Sequence, residues 1–208
     1  MEIALRVVVV IVSYLLGSIP SAYIAGRVLK GIDIRNYGDG HVGALNADRH
    51  LGRAAGAAVS AADIGKGYLA IWLAIWLVRS LGLEPVEPVD PVVLLSGLAV
   101  VAGHCWPIYI GFRGGGGQAT TVGVFFALIP WAMLITAATS GVFYFTGKIT
   151  AAGLIMFVPL WLVALLMGEP IPLVVYSLLL PAISGLRYWR RRRATPGRAR
   201  QTGGQDEA

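Results

Sequence analysis

The run ATTVGVFFALIPWAMLITAATSGVFYFT, residues 119–146, decides how this chain folds. It holds 28 residues and no charge, whereas about 20 apolar residues cross the hydrocarbon of a bilayer. The run is one overlong crossing or two short ones, and the charges on either side choose between them. Basic residues in short loops stay cytoplasmic. Arg27, Lys30, Arg35, Arg49 and Arg53 mark segment 27–53 as cytoplasmic, and Arg187, Arg190, Arg191, Arg192, Arg193, Arg198 and Arg200 mark the C-terminal end. Segment 79–91 sets one arginine against Glu84, Glu87 and Asp90 and belongs outside, which returns the loop around Arg113 to the cytoplasm. An even number of crossings must lead from Arg113 to the tail, yet only three apolar runs follow it, 119–146, 149–167 and 171–186. The first must therefore split. Pro130 and Trp131 punctuate it, predicting a short crossing over 115–130, only marginally long enough, and another over 131–146. Lys148 then falls in a cytoplasmic turn and Glu169 outside, placements the count was not built to satisfy.

The expected fold is an all-α integral membrane protein of about seven transmembrane helices, with the N-terminus outside and the C-terminus cytoplasmic. Residues 1–189 form a single polytopic membrane domain, and 190–208 a basic, disordered cytoplasmic tail. Composition points to the same class. Of 208 residues, 56% are hydrophobic and 13% charged, with a mean hydropathy of +0.70, against about 25% charged in soluble domains. Further apolar runs cover 7–26, 54–78 and 92–112, and the second of these carries Asp63 and Lys66. Charges at membrane depth usually face a bundle interior or a site, and three residues apart these two can pair. A secretory signal at 1–26 fits poorly, because Glu2 cancels Arg6. Cys105 is the sole cysteine, which leaves no disulfide framework and no cysteine metal cluster.

Two polar loops interrupt the apolar chain. The first, DIRNYGDGHVGALNADRHLGRAAG (33–56), combines five glycines with Arg35, Arg49 and Arg53. Glycine lets the backbone approach a ligand closely, and arginine forks and amide nests hold phosphate. The second, around Arg113 and Gly114, Gly115, Gly116 and Gly117, leads into a helix whose N-terminal amides attract anions. No Walker motif is present, since the four glycines lack its lysine and its serine or threonine. In the derived topology both loops share one membrane face, which suits two phosphorylated ligands or one lipid phosphate. The arginine-rich tail suits anionic lipid headgroups at about 1 kcal/mol per basic residue or a plain topological stop signal. Nucleic acid is an unsuitable partner, because no folded module accompanies the basic residues. A transporter reading would use Asp63 and Lys66, but no internal repeat is visible.

Four stretches in this order and spacing, GSIPSAYIAGR (17–27), DIRNYGDGHVGALNADR (33–49), DIGKG (63–67) and GHCWPIYIGFRGGGGQAT (103–120), resemble the bacterial acyl-phosphate-dependent glycerol-3-phosphate acyltransferase family, PlsY. The resemblance implies transfer of a fatty acyl group from acyl phosphate to the 1-hydroxyl of glycerol 3-phosphate. The product is lysophosphatidic acid, and no metal, CoA or other cofactor takes part. It also implies a multi-pass protein of the bacterial inner membrane whose active site faces the cytoplasm, with membrane lipids as its surroundings. The acyl chain stays in lipid and both phosphates at the surface, so binding brings a hydroxyl beside an activated carbonyl.

The carry-over is residue by residue. Where the family reads GSGN this chain reads GDGH, placing Asp39 at the serine and His41 at the asparagine; GATN becomes GALN, which keeps Asn46, and Arg49 follows. In the second motif His104, Pro107, Phe112, Gly114, Gly115, Gly117, Ala119 and Thr120 fit, while Gly116 stands where GGKG has lysine. The third motif is not recognisable in PAISGLRYWRRRR (181–193). The expected catalytic residues are Asp39 and His104. The expected substrate contacts are Arg35, His41, Asn46, Arg49, Lys66, Arg113, the four glycines and Thr120. A lost lysine removes a contact of about 1.5–3 kcal/mol, and Asp39 adds a carboxylate that repels phosphate. Three readings stay open: Asp39 as general base with His41 or His104 sharing the work, a different phosphorylated acceptor held by His41 and Arg113, or a homologue that binds lipid phosphate or a partner without catalysis.

Overall fold

Proline and glycine punctuation divides the apolar runs into helices. The computed structural model describes residues 1–83, 89–145, 153 and 155–194, and these are helical or loop, with no strand among them. The helices are α1 (Glu2–Gly17), α2 (Ser21–Lys30), α3 (Ala44–Leu51), α4 (Arg53–Ser80), α5 (Pro91–Cys105), α6 (Gln118–Leu128), α7 (Pro130–Phe145), α8 (Leu160–Leu166) and α9 (Ile171–Ala194). Among the described residues, three stretches are long and apolar enough to cross a membrane, Glu2–Lys30, Arg53–Ser80 and Pro91–Ile110.

The local causes are legible. Pro20 lacks an amide hydrogen and separates α1 from α2, and Gly31 closes α2 in the left-handed region at φ 66°. Asp90 opens α5 by accepting from the Val92 amide at 2.8 Å, with Pro91 at the first helical position. Arg6 reaches Asp90 at 3.1 Å and Glu2 at 2.8 Å, tying the start of α1 to the start of α5.

The predicted division at Pro130 is present, with Pro130 beginning α7 and Ile129 leaving helical geometry at φ −137°. The first half is shorter than expected, because 114–117 are loop and α6 covers only 11 residues. At 1.5 Å per residue it rises roughly 16 Å, about half the hydrocarbon thickness. Glu84, Glu87, Lys148 and the tail from 195 lie outside the described residues. The backbone of α9 is helical through 190–193 to Ala194, where the sequence reading begins the tail.

Short α6 sits deep in the bundle. Thr120, Thr121, Gly123, Val124 and Phe125 are buried in it, and the main core joins Val124 and Phe125 to Ile71 of α4, Val100 and Val101 of α5, Met133 of α7 and Leu180 of α9. Helices in lipid gain no hydrophobic drive from one another and rely on close packing of small residues. A Cβ on Gly123 would strike the Ile64 carbonyl of α4, and one on Gly67 the Thr120 carbonyl of α6. Gly17 and Gly103 bring α1 and α5 together in the same way, against Val100 and Tyr14. Trp72, Trp76, Leu69 and Trp131 point outward instead and are exposed, as lipid-facing side chains are.

Candidate active site

Close contact of α4 with α5 and α6 brings the two polar loops to one end of the bundle. Between them lies a cavity of about 170 Å³ lined by Asp39, His41 and Gly43, by Asn46 of α3, Ser60 and Asp63 of α4, His104 of α5, and Gly116, Gly117 and Gln118 at the start of α6. None of its lining residues is lysine or arginine.

Chain geometry around His104 is tight. Phe112 donates its amide to the Pro107 carbonyl at 2.8 Å, and the Gly115 amide donates to the His104 carbonyl at 3.1 Å, folding the glycine loop back over the end of α5. Phe112 itself stands at φ 61°, the single non-glycine in the left-handed region among the described residues. A Cβ on Gly114 would strike the His104 carbonyl, and one on Gly115 the His104 Nε2 atom. Gly117, at φ 83°, turns the chain into α6 with no side chain capping the helix. The uncapped amides of α6 therefore face the cavity end, where an anion gains from the helix dipole.

Asn46 organises the first loop. It is 1% exposed, and its Nδ2 shares two hydrogens among the carbonyls of Ile34 at 3.1 Å, Tyr37 at 3.1 Å and His41 at 3.0 Å. Asp39 accepts from the His41 amide at 3.0 Å and stands 3.2 Å from His41 Nδ1. Burial alone would raise the Asp39 pKa, but the hydrogen bonds from His41, with His41 and Arg49 charges behind them, bring it down to about 2. It is a fixed carboxylate at neutral pH and a weak proton acceptor.

Of the expected site residues, the structure brings Asp39, His41, Asn46, His104, Gly116 and Gly117 to one cavity. Gly114 and Gly115 pack its wall against His104. Arg49 is exposed on α3, close enough for its charge to act on Asp39, and Arg113 is exposed on the glycine loop.

Three further expected contacts do not line the cavity. Arg35 grips Asp33 through Nη2 at 2.6 Å, donates to the Ile110 carbonyl at 2.9 Å and covers the Tyr23 ring at 5.0 Å, so it staples the first polar loop to the second. Its guanidinium in turn holds the Asp33 carboxyl below the usual carboxylate range. Lys66 is 5% exposed and donates to Asp63 at 2.8 Å and to the Ile19 carbonyl at 2.9 Å. Thr120 is fully buried at the α4–α6 contact, and its hydroxyl has no hydrogen-bond partner among the described residues.

Sequence reasoning left out Ser60 and Gln118, and it singled out Asp63 with Lys66 only as a pair facing the bundle interior or a site. That carboxylate is 2% exposed, with Oδ1 2.8 Å from Lys66 Nζ, 3.0 Å from Ser21 Oγ and 3.4 Å from His104 Nδ1. The i,i+3 charge pair in an apolar run was the visible signal; the contact with His104 depends on α5 packing against α4.

A family model described as glycerol-3-phosphate acyltransferase matches residues 7–196. Glycerol-3-phosphate acyltransferase 4 of Dehalococcoides mccartyi is 45% identical over 185 residues, covering 88% of this chain and 95% of its own. The glycerol-3-phosphate acyltransferase of Staphylococcus saprophyticus is 35% identical over 176 residues, covering 81% and 84%. Crystal structures of the integral membrane glycerol 3-phosphate acyltransferase PlsY, in its lysophosphatidic acid and glycerol 3-phosphate forms, superpose with a TM-score of 0.72 at 31% identity over 91% of this chain and 92% of theirs. With a buried histidine at a cavity between two glycine-rich loops, and a family match along nearly its whole length, the chain belongs to the glycerol-3-phosphate acyltransferase family, of the integral membrane PlsY type.

Proposed function

We propose that the protein acylates the 1-hydroxyl of glycerol 3-phosphate with a fatty acyl group from acyl phosphate, giving lysophosphatidic acid and inorganic phosphate for phospholipid synthesis. The observation that carries this reading is His104, held at the cavity wall against the glycine loop. The hydroxyl oxygen bonds to the acyl carbon, and the bond from that carbon to the phosphate oxygen breaks, its electron pair leaving with phosphate. The hydroxyl proton passes to His104 Nε2 and on to the departing phosphate, so atoms and charge balance without a cofactor. Amides of the glycine loop and of the first turn of α6 stabilise charge on the reacting oxygens. Arg49 and Arg113 supply the cationic contacts that the cavity lining lacks, and Asp39 orients His41. The site lies at the cytoplasmic end of the bundle in the inner membrane, where the acyl chain of the donor stays in lipid.

The experiment is steady-state kinetics in lipid with Arg49→Ala. A lost charge-assisted contact of about 1.5–3 kcal/mol raises KM for glycerol 3-phosphate roughly 10- to 100-fold and leaves folding intact. An unchanged KM removes Arg49 from the phosphate site. One observation favours a second reading, lipid-phosphate binding without catalysis: the lining carries two carboxylates, Asp39 and Asp63, and neither lysine nor arginine. Folded protein that binds glycerol 3-phosphate without turnover would establish it.

A further inference from the structure

The second polar loop opens with the turn 106–112, which ends in a conformation its sequence does not favour. Gly111 and Phe112 stand one after the other in the left-handed region, at φ 66° and 61°. Glycine enters that region freely, whereas a residue with a side chain is crowded there and persists only where its surroundings over-determine it. Phe112 is 55% exposed, so packing of its ring inside the protein does not hold it. Its backbone is held instead. The Phe112 amide donates to the Pro107 carbonyl at 2.8 Å, Tyr14 Oη donates to the Trp106 carbonyl at 2.6 Å, and Arg35 Nη1 donates to the Ile110 carbonyl at 2.9 Å. Of these three contacts, that of Arg35 comes from the first polar loop. Its Nε and Nη2 fork onto the two oxygens of Asp33 at 2.9 and 2.6 Å, and the guanidinium lies over the Tyr23 ring at 5.0 Å. A planar guanidinium fixed in this way aims its remaining edge, Nη1, at one place. Pairing with Asp33 needs no reach across 75 residues to a backbone carbonyl.

We infer that Arg35 is a positioning residue for acyl transfer: its hold on the Ile110 carbonyl keeps Phe112 in the left-handed turn, and that turn sets where Arg113 and the glycines after it stand. Arg113 follows Phe112 directly, and Gly116 and Gly117 line the cavity. Without the Arg35 contact, Phe112 relaxes towards the ordinary negative-φ regions and redirects the chain just before Arg113. The loop amides and the Arg113 guanidinium then miss the reacting oxygens, with no contact between Arg35 and substrate needed to explain the loss. A glycine at residue 112 has no such drive to relax, so the loop keeps its turn even when the arginine is gone. The inference rests on the proposed acyl transfer, to which this loop brings its amides and Arg113.

The test measures kcat and KM for lysophosphatidic acid formation in lipid for the wild type, Arg35→Gln, Phe112→Gly and the double variant, each with a thermal melt. A reacting geometry displaced by about 1 Å slows turnover roughly 10²-fold, and kcat of Arg35→Gln is expected to fall by that factor. Adding Phe112→Gly to Arg35→Gln is expected to raise kcat again by about 5- to 30-fold, the rate equivalent of the left-handed penalty it removes. The same change in the wild type gives no such gain. Amide exchange over residues 113–117, measured without substrate, quickens in Arg35→Gln. Wild-type kcat in folded Arg35→Gln, or a loss that Phe112→Gly leaves unrelieved, overturns this inference alone. A raised KM at unchanged kcat and unchanged exchange makes Arg35 a substrate contact and overturns it equally. No product from folded wild type overturns the acyl-transfer reading and this inference with it. Should Arg35→Gln not fold, Arg35→Lys takes its place: the ammonium keeps the charge beside Asp33 but lacks the fork, and the same loss and recovery are expected, their absence again counting against the inference.

Discussion

Gly115→Ala tests the close approach on which the catalytic geometry depends. A Cβ at residue 115 would overlie His104 Nε2, 3.0 Å from Cε1 and 2.6 Å from the Val42 carbonyl oxygen, where ordinary contact begins at 3.4 Å. Backbone on one side and imidazole on the other leave the ring as the part that can give. It must retreat by about 1 Å, and a displacement of that size costs a rate roughly 10²-fold, or about 2.7 kcal/mol of activation free energy. Crowding in the folded state costs about 1–3 kcal/mol besides. The assay is kcat and KM for lysophosphatidic acid formation, with a thermal melt on the same preparation. Gly65→Ala is the control, since no atom lies within 4 Å of its Cβ and a helical alanine is worth up to ~1 kcal/mol over glycine. A folded Gly115→Ala protein with wild-type kcat would refute the placement of His104 as the reacting base.

Gly123→Ala pushes a methyl into the Ile64 carbonyl across the α4–α6 contact, and is expected to lower stability by about 1–3 kcal/mol in chemical unfolding; an unchanged midpoint would mean the helices pack differently. Asp39 has a folded pKa of about 2, below the ordinary ~3.9, so its contribution to stability is present above pH ~4 and is lost as pH falls through 2. The stability gap between wild type and Asp39→Asn should therefore close as pH drops from 4 to 2, and a gap constant with pH would contradict the shift. Asn46→Leu leaves three loop carbonyls without their donor and should destabilise the first loop by about 1–3 kcal/mol, read as faster amide exchange over residues 34–46. For the seven-helix, N-outside topology, an impermeant maleimide should label Leu81→Cys from outside and Tyr109→Cys only after permeabilisation. Buried Cys105 stays silent, and labelling of both cysteines from one side would defeat the count.

The apolar runs and their proline breaks were legible because each is a local property of the chain. Pro130 acts on its own neighbourhood, and its break stands where the sequence places it, whereas the break at Pro20 falls inside the run 7–26, read as one stretch. The length of α6 was only half legible, since the four glycines at 114–117 read as a loop leading into a helix, while the crossing count counted 115–117 into the span. Motif order carried Asp39, His41, Asn46, His104, Gly116 and Gly117 to one cavity. It did not show that Arg35 and Lys66 pair with Asp33 and Asp63, because a cation in a motif reads alike whatever stands beside it in the fold. Whether a charge is free for substrate depends on what tertiary packing sets beside it. Asp63 was seen as a paired charge, and only the packing of α5 on α4 reveals His104 as its third partner.

A chain carrying Asp39, His41 and Gly116 in its two loops still runs the acyl transfer. The most direct measurement supplies purified protein in lipid with palmitoyl phosphate and glycerol 3-phosphate and follows phosphate and lysophosphatidic acid together. That transfer yields equal amounts of the two products, abolished in His104→Gln. Phosphate without lysophosphatidic acid, or neither product from folded protein beside an active relative, would contradict it.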